Sequence, residues 1–368
     1  MRVACLVSGG VDSSLALALV RESGHEVTAF YLKIWLEDEA AFLGECPWED
    51  DLAYVRKTCE LLGVKLEVVP LQREYHERVI SYALEEVKRG RTPNPDVLCN
   101  STVKFGAFLD WLGANDREFD KVATGHYARV RAMEHGTQNT EHKKGASIQL
   151  LASPDAVKDQ TYFLSRLSPE QLAMAMFPIG KYTKDEVRKM ARERELPSQD
   201  RPDSQGLCFL GEINYADFVR HHLGEKEGEI VDRETGKSIG KHRGHWFFTI
   251  GQRHGLDLSG GPWYVTGKDV EKNGVFVTHR LKMKDIEREE FLVEGMHWLV
   301  PAPEEDREIT VKIRHGAARY RCAIKRQDGN GERLHVRLLD TKERGIAPGQ
   351  FAVFYDGDLC LGSGVIVK

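Results

Sequence analysis

Ser8-Gly9-Gly10-Val11-Asp12-Ser13-Ser14 stands between two apolar stretches, Arg2 to Val7 and Leu15 to Arg21. The first reads as a short buried strand and the second as a helix with one apolar face. Between them, two glycines let the backbone approach a ligand closely, and serine hydroxyls and free amides at a helix start donate to an anion. No lysine follows, so this is not the GxxxxGK[ST] loop of kinases and GTPases. An ordinary strand–helix turn rich in small residues is the competing reading. All seven residues fit the phosphate-binding pattern at the right junction, which favours a phosphate site.

Outward from this loop, strands and helices alternate. His25 to Leu32 and Lys65 to Val69 read as strands, Trp48 to Leu62 and His76 to Arg89 as helices, and Lys121 to Ala123 as a strand before Gly125. This order predicts a parallel α/β sheet, doubly wound with helices on both faces. Ligands of such sheets sit at the carboxyl ends of the strands. Leu32 falls there, placed to touch a nucleobase, although a plain core leucine fits the position equally well. Gly125 and His126 fall on the same edge. Arg131 to Ser147 reads as the polar tip of a hairpin, and the charged run Arg192 to Ser204 as either an active-site segment or a surface loop. Beyond about residue 215, helical patterns thin out. Short period-2 runs such as Glu308 to Ile313 and Leu334 to Leu338 predict a C-terminal antiparallel β-barrel. The expected division is 1–215, 216–288 and 289–368.

The 368 residues carry a formal charge of -5, which argues against a general nucleic-acid coat protein. A basic face can coexist with an acidic remainder. Residues 307–344 hold eleven Lys/Arg against five Asp/Glu, which predicts a phosphate-facing patch on the barrel. Lys181, Lys184, Arg188, Lys189 and Arg192 form a second basic stretch at helical spacing. No apolar run approaches the roughly 20 residues of a membrane helix, so no membrane partner is expected. The N-terminus lacks a signal-peptide layout, which predicts a bacterial cytoplasm, or an organelle matrix or stroma if a presequence has been removed.

Seven cysteines without a CxxC pair suit a reducing compartment. Two of them stand out. In Asn94-Pro95-Asp96-Val97-Leu98-Cys99-Asn100, the prolines extend the backbone, and Asp96 and Cys99 share a face if a helix begins here. A helix start and Lys104 would then favour the thiolate. Cys208, in Asp203-Ser204-Gln205-Gly206-Leu207-Cys208-Phe209, lies 109 residues further on, which no local metal motif explains. Read alone, each cysteine is more often a small buried hydrophobe than a nucleophile.

The opening loop resembles the SGGxDS loop of the ATP pyrophosphatases. Together with NPDVLCN, TGHYAR, KDQTYFL, FPIGKYTKDEVRKMA, DSQGLCFLG, TIGQRHGL and the late Ala347-Pro348-Gly349-Gln350, it makes the chain similar to the tRNA-specific 2-thiouridylases over nearly its whole length. That resemblance implies a PP-loop domain, a small central domain and a C-terminal β-barrel. It implies ATP-dependent thiolation of the wobble uridine in tRNAs for Lys, Glu and Gln. Leu6, Val7, Ser8, Gly9, Gly10, Val11, Asp12, Ser13, Leu32 and Gly125 would bind ATP, with Asp12 holding Mg²⁺. The family usually has Met where Leu32 stands, a swap that keeps an apolar contact. Asn94, Pro95 and Asp96 would contact the flipped uracil, with Asp96 as acid/base. Cys208 would carry a persulfide from a donor such as a cysteine desulfurase or relay protein, and Cys99 would close a disulfide with it. An alternative sulfur carrier is a four-iron four-sulfur cluster on Asp96, Cys99 and Cys208. His126, Lys158, Asp159, Gln160, Arg314, His315 and Gln350 would contact tRNA, the last three at the anticodon arm. The family commonly has Tyr where His315 stands, and either ring can stack on a base.

Overall fold

The computed structural model describes residues 1–34, 47–133, 147–203, 215–280, 287–327 and 333–367. Its first sheet is parallel, with strands β1 (Arg2–Leu6), β2 (Glu26–Lys33), β3 (Lys65–Pro70), β4 (Lys121–Ala123) and β7 (Ala175–Met176) in the order β3-β2-β1-β4-β7. Side chains alternate along β1. Val3, Cys5 and Val7 join a core under helices α1 (Val11–Glu22) and α2 (Pro47–Leu62), while Ala4 and Leu6 enter the core on the opposite face. Both faces are covered, so the strand reads as a continuous apolar run rather than an alternating one.

The second face is covered by α3 (72–88) and α4 (95–114), both of which widen into π-helical turns, at His76–Ile80 and Cys99–Ala107. Pro95 occupies the first turn of α4, where a missing amide costs nothing. Helix α4 leads back to β4, which begins where Asp120 N donates to Arg2 O (2.8 Å), at the amino edge of the sheet. The start of α4 therefore stands over the carboxyl edge.

A hairpin of β5 (Ala128–Met133) and β6 (Ser147–Ala152) leaves this sheet, and its expected polar tip lies outside the described residues. Short helices α5 (Thr161–Leu164) and α6 (Pro169–Met174) follow. Next comes α7 (Lys184–Glu193), whose start is fixed by a capping box between Thr183 and Glu186. After α8 (Tyr215–Leu223), the central part pairs β8 (Gly228–Asp232), β9 (Ser238–His242), β10 (Trp263–Asp269) and β11 (Gly274–His279) in the order β10-β11-β8-β9.

The last part is a closed antiparallel barrel of β12 (Glu290–Trp298), β13 (Ile309–Lys312), β14 (Tyr320–Arg326), β15 (Arg333–Leu338), β16 (Phe351–Asp356) and β17 (Leu359–Ile366). It runs β12-β15-β14-β13-β16-β17 and shuts through β12–β17. The β5–β6 hairpin attaches to β17 beside Leu151, with Ala152 N donating to Asp358 O (2.8 Å). In β16, Ala352 and Phe354 face the barrel interior, while Phe351, Val353 and Tyr355 continue the core of the first sheet. The outer face of β16 thus belongs to the core of the first sheet, and its inner face to the barrel's own interior.

Candidate active site

The loop after β1 is braced from within. Ser13 Oγ accepts from Ser8 N (3.1 Å) and lies 3.2 Å from Ser8 Oγ. Helix α1 starts at Gly10 without a side-chain cap, which leaves its first amides for an anion. Gly9 sits at φ +81° against Asp51, where a Cβ would come within 2.6 Å of a backbone oxygen. Gly125 lies flat on the helix start, since a Cβ there would be 2.6–2.7 Å from the Ser13 and Asp12 backbone. Both glycines are demanded by close approach rather than by flexibility. Leu6 and Leu32 pack on the face that also carries Cys99 and Val97, while Val7 and Val11 are buried on the other side of the loop.

Asp12 is the loop's acid. One carboxylate oxygen accepts from Tyr127 Oη and from Lys184 Nζ, each at 2.8 Å. The side chain remains 32 % exposed, and hard carboxylate and serine oxygens fit a magnesium ion. Lys184 is buried, and its ammonium also reaches Asp203 (2.8 Å), which is held as well by Lys158 (2.6 Å) and Arg188 (2.6 Å). Burial works against the Asp203 charge, but the hydrogen bonds and charges of Lys158 and Lys184 more than offset it and hold the carboxyl well below the ordinary range. Arg201 donates to Gly9 O (3.1 Å) and Asp51 (2.7 Å). The run from Arg192 is therefore packed on the phosphate loop up to Asp203. Cys208, five residues further on, lies outside the described residues.

Sequence reading did not single out Tyr127, Lys184, Asp203 or Arg201 for this loop. The capping box at Thr183 was the available signal for Lys184, because it fixes which face of α7 turns inward. The basic stretch of α7 is likewise engaged, with Lys189 facing Glu193 and Arg192 facing Asp200.

Asp96 and Cys99 lie in the first turn of α4 and at the start of its π segment, one turn apart. Cys99 is 5 % exposed, and Asn94 and Pro95 are buried beside it. Cys5, Cys59, Cys322 and Cys360 are also buried, and burial, their largest cause, pushes each thiol above its ordinary range. The third expected cluster ligand, Cys208, is outside the described residues. Among the described residues, no trio of His, Cys, Asp or Glu converges on a metal position. His126 is buried, with Nδ1 2.7 Å from Thr124 Oγ1; burial and then the Lys104 charge push its imidazole well below the ordinary range. The His126 ring stands edge-on to Phe177 (6.0 Å between centroids), which also meets Phe105 of α4 (6.4 Å), so His126 links Gly125 to the helix of Cys99.

The expected RNA contacts divide into two groups. Lys158 remains partly exposed beside Asp203, Arg314 is exposed beside Glu343 (3.7 Å), and His315 lies on the Phe163 ring (4.5 Å between centroids). Asp159 and Gln160 instead act inside the protein. Gln160 Oε1 accepts from Tyr127 N (2.9 Å). Asp159 is 1 % exposed and receives Lys312 Nζ (2.8 Å), Thr161 Oγ1 (2.9 Å) and Arg319 (3.5 Å), which ties β13 to the first domain. Gln350 Nε2 donates to Thr92 O (2.9 Å), gripping the segment before Asn94, and lines a cleft of about 600 Å³ with Thr92, Tyr264 and Arg314. Ten of the eleven bases at 307–344 have a carboxylate within 4.0 Å. Their partners include Glu287, Glu289, Glu294, Glu305, Asp306 and Asp356 from outside that window. Over 287–358 there are twelve bases against fourteen acids, so the barrel is not a basic surface as a whole.

A phosphate loop at the carboxyl edge of a parallel sheet, followed by two β modules, defines a multidomain nucleotide-binding protein of the HUP class. Residues 1–212 match the family described as tRNA methyl transferase HUP domain, 216–279 the tRNA methyl transferase PRC-barrel domain, and 288–366 the aminomethyltransferase beta-barrel domain. The chain is 44 % identical to the tRNA-specific 2-thiouridylase MnmA of Parabacteroides distasonis, covering 100 % of this chain and 99 % of that one. It is 44 % identical to tRNA-specific 2-thiouridylase MnmA 1 of Bacteroides thetaiotaomicron over 100 % of both, and 43 % identical to that of Porphyromonas gingivalis over 100 % and 99 %. The chain belongs to the tRNA-specific 2-thiouridylase family, whose members are sulfurtransferases acting on tRNA.

Proposed function

We propose that this chain uses ATP to replace the C2 oxygen of the wobble uridine in tRNAs for Lys, Glu and Gln with sulfur. One junction carries the reading: Gly125 lies on the Asp12–Ser13 backbone, and His126 beside it packs on the Phe177 ring that also meets Phe105 of the helix bearing Asp96 and Cys99. A phosphate loop and a thiol are thus built onto one sheet edge. Full-length relatives named as 2-thiouridylases support the substrate. The methyl transferase wording of two domain descriptions has no counterpart in those relatives' names.

In this mechanism, the loop from Ser8 to Ser13 holds the ATP phosphates on its free amides. Leu6, Val7, Leu32 and Gly125 border the nucleoside. A magnesium ion at Asp12 would offset charge on the departing pyrophosphate. Asn94 and Pro95 hold the flipped uracil, and Asp96 takes or returns its N3 proton. The C2 oxygen attacks the α-phosphorus, and the bond to pyrophosphate breaks. The terminal sulfur of a Cys208 persulfide then attacks C2, and AMP leaves with the original oxygen. The Cys99 thiolate attacks the inner sulfur of Cys208; the sulfur–sulfur bond breaks, the thione stays on C2, and a Cys99–Cys208 disulfide remains. An external thiol reductant restores both cysteines.

Pyrophosphate release, measured with and without tRNA, tests the reading. Release should require tRNA, and Cys208→Ser should keep a single tRNA-dependent turnover of pyrophosphate while forming no 2-thiouridine. Release independent of tRNA would point instead to a synthetase acting on a small molecule.

A further inference from the structure

Where the end of α3, the central sheet and the barrel meet, a cleft of about 570 Å³ is lined by Arg89, Arg91, Arg233, Lys268 and Arg288, with Asp232 as its lining acid. Three domains contribute these cations: Arg89 and Arg91 the α3–α4 connection, Arg233 and Lys268 the central sheet, and Arg288 the lead into β12. Arg89 and Arg91 are balanced by Glu86 (3.0 and 3.2 Å). Arg233, Lys268 and Arg288 have no carboxylate within 4 Å among the described residues. The Arg233 guanidinium donates to Thr266 O (3.3 Å), and Asp232 turns its carboxylate to Glu234 N and Thr235 Oγ1.

This pattern differs from the neighbouring surfaces. The cleft beside Gln350 pairs Arg314, Lys342 and Arg344 with Glu343, Glu289 and Glu287. A second cleft in the central domain is lined by Glu227, Glu229 and Asp269 against Lys241 and Lys272. Of these three clefts, the α3 cleft gathers cations from three domains and leaves three of them without a carboxylate among the described residues. Burial lowers the Lys268 ammonium to about 8, as expected of a cation held from water without a counter-charge. Gly90, at φ +75°, brings the backbone so close that a Cβ would meet Val270 at 2.7 Å, which fixes the α3 end against the Lys268 strand.

We propose that this cleft is a binding site for backbone phosphates of the tRNA, with Arg233, Lys268 and Arg288 as its phosphate ligands. The inference rests on the chain acting on tRNA. Arg91 is followed directly by Thr92, which Gln350 grips and which leads into Asn94. Ile250 lines both this cleft and the one beside Gln350, so a strand held by the cations runs on toward the expected uracil pocket. Phosphate contacts fix the register of a nucleic acid and carry no sequence information. The site would therefore set how far the anticodon loop enters, while Asn94 and Asp96 read the base. An acidic protein, such as a persulfide donor, is the competing occupant; the depth of Lys268 and the forked arginines suit a narrow phosphate strand better.

Binding of unmodified tRNA to the full-length protein and to R233Q/K268Q/R288Q, measured across a salt series, tests the site. Each lost phosphate contact should flatten the slope of log K against log salt by about 0.7–0.9. The triple variant should therefore lose roughly two in slope and at least about tenfold in affinity at fixed salt. The charge-retaining R233K/K268R/R288K should recover the slope. If the neutral triple does not fold, R233Q alone, at an exposed side chain, should flatten the slope by about one contact. An unchanged slope overturns the proposal, as does unchanged tRNA affinity with weakened binding of the persulfide donor. A wild-type protein that binds no tRNA would overturn the sulfurtransferase reading itself, whereas equal binding by wild type and variants removes only this cleft.

Discussion

Lys184 touches two carboxylates with one ammonium. Asp12 belongs to the phosphate loop, and Asp203 is the last described residue before the Cys208 segment. Asp12→Asn should abolish pyrophosphate release; full release in that variant would remove the metal assignment. Asp203 also sets a pH dependence. Its carboxyl is held below the ordinary range in the folded protein, so its stabilisation is complete above the unfolded value near ~3.9 and fades as pH falls toward the folded value. Between neutral pH and pH about 3, wild type should lose more stability than Asp203→Asn, measured by thermal melting; equal losses would contradict the anchoring role. The Asp159–Lys312 pair is a second residue-scale case, because both side chains are 1 % exposed. Lys312→Met leaves the buried carboxylate with Arg319 (3.5 Å) as its remaining cation among the described residues and should cost up to about 3–5 kcal/mol by chemical denaturation, while a loss near zero would show that Arg319 alone or water satisfies Asp159.

At the scale of elements, the helix start at Pro95 and the turn at Gly125 decide what meets the phosphate loop. Gly125→Ala inserts a methyl where the Asp12–Ser13 backbone already stands. The loop must shift, and tRNA-dependent pyrophosphate release should fall by about a hundredfold with the circular-dichroism spectrum retained. Unchanged release would mean that the turn has room for a methyl group. These elements were legible early. The strand, glycine loop and helix from Arg2 to Arg21 show in local pattern, and so does the helix start at Pro95. Lys184 and Asp203 were not, because Lys184 joins Asp12 across 172 residues and Asp203 reaches Asp12 only through Lys184, which no periodicity records. The eleven bases of 307–344 show the opposite error. A window in sequence counts charges but not partners, and seven of their acids stand outside it.

Across the whole molecule, the barrel is built into the first sheet and the segment that leads to Asn94. Phe351, Val353 and Tyr355 extend the core of the first sheet, the β5–β6 hairpin pairs with β17, and Gln350 grips Thr92. Period-2 runs foretold a barrel but not this attachment, since β16 is buried on both faces and its partners come from residues 128–167. The central claim, sulfur placed on a tRNA base at the expense of ATP, is tested most directly by nucleoside mass spectrometry. Unmodified tRNA is incubated with this protein, ATP and a persulfide donor, and AMP is counted alongside. The account predicts 2-thiouridine at the wobble position, one AMP per thionucleoside, and none without ATP. Thiolation without AMP, or AMP without any thionucleoside, would contradict it.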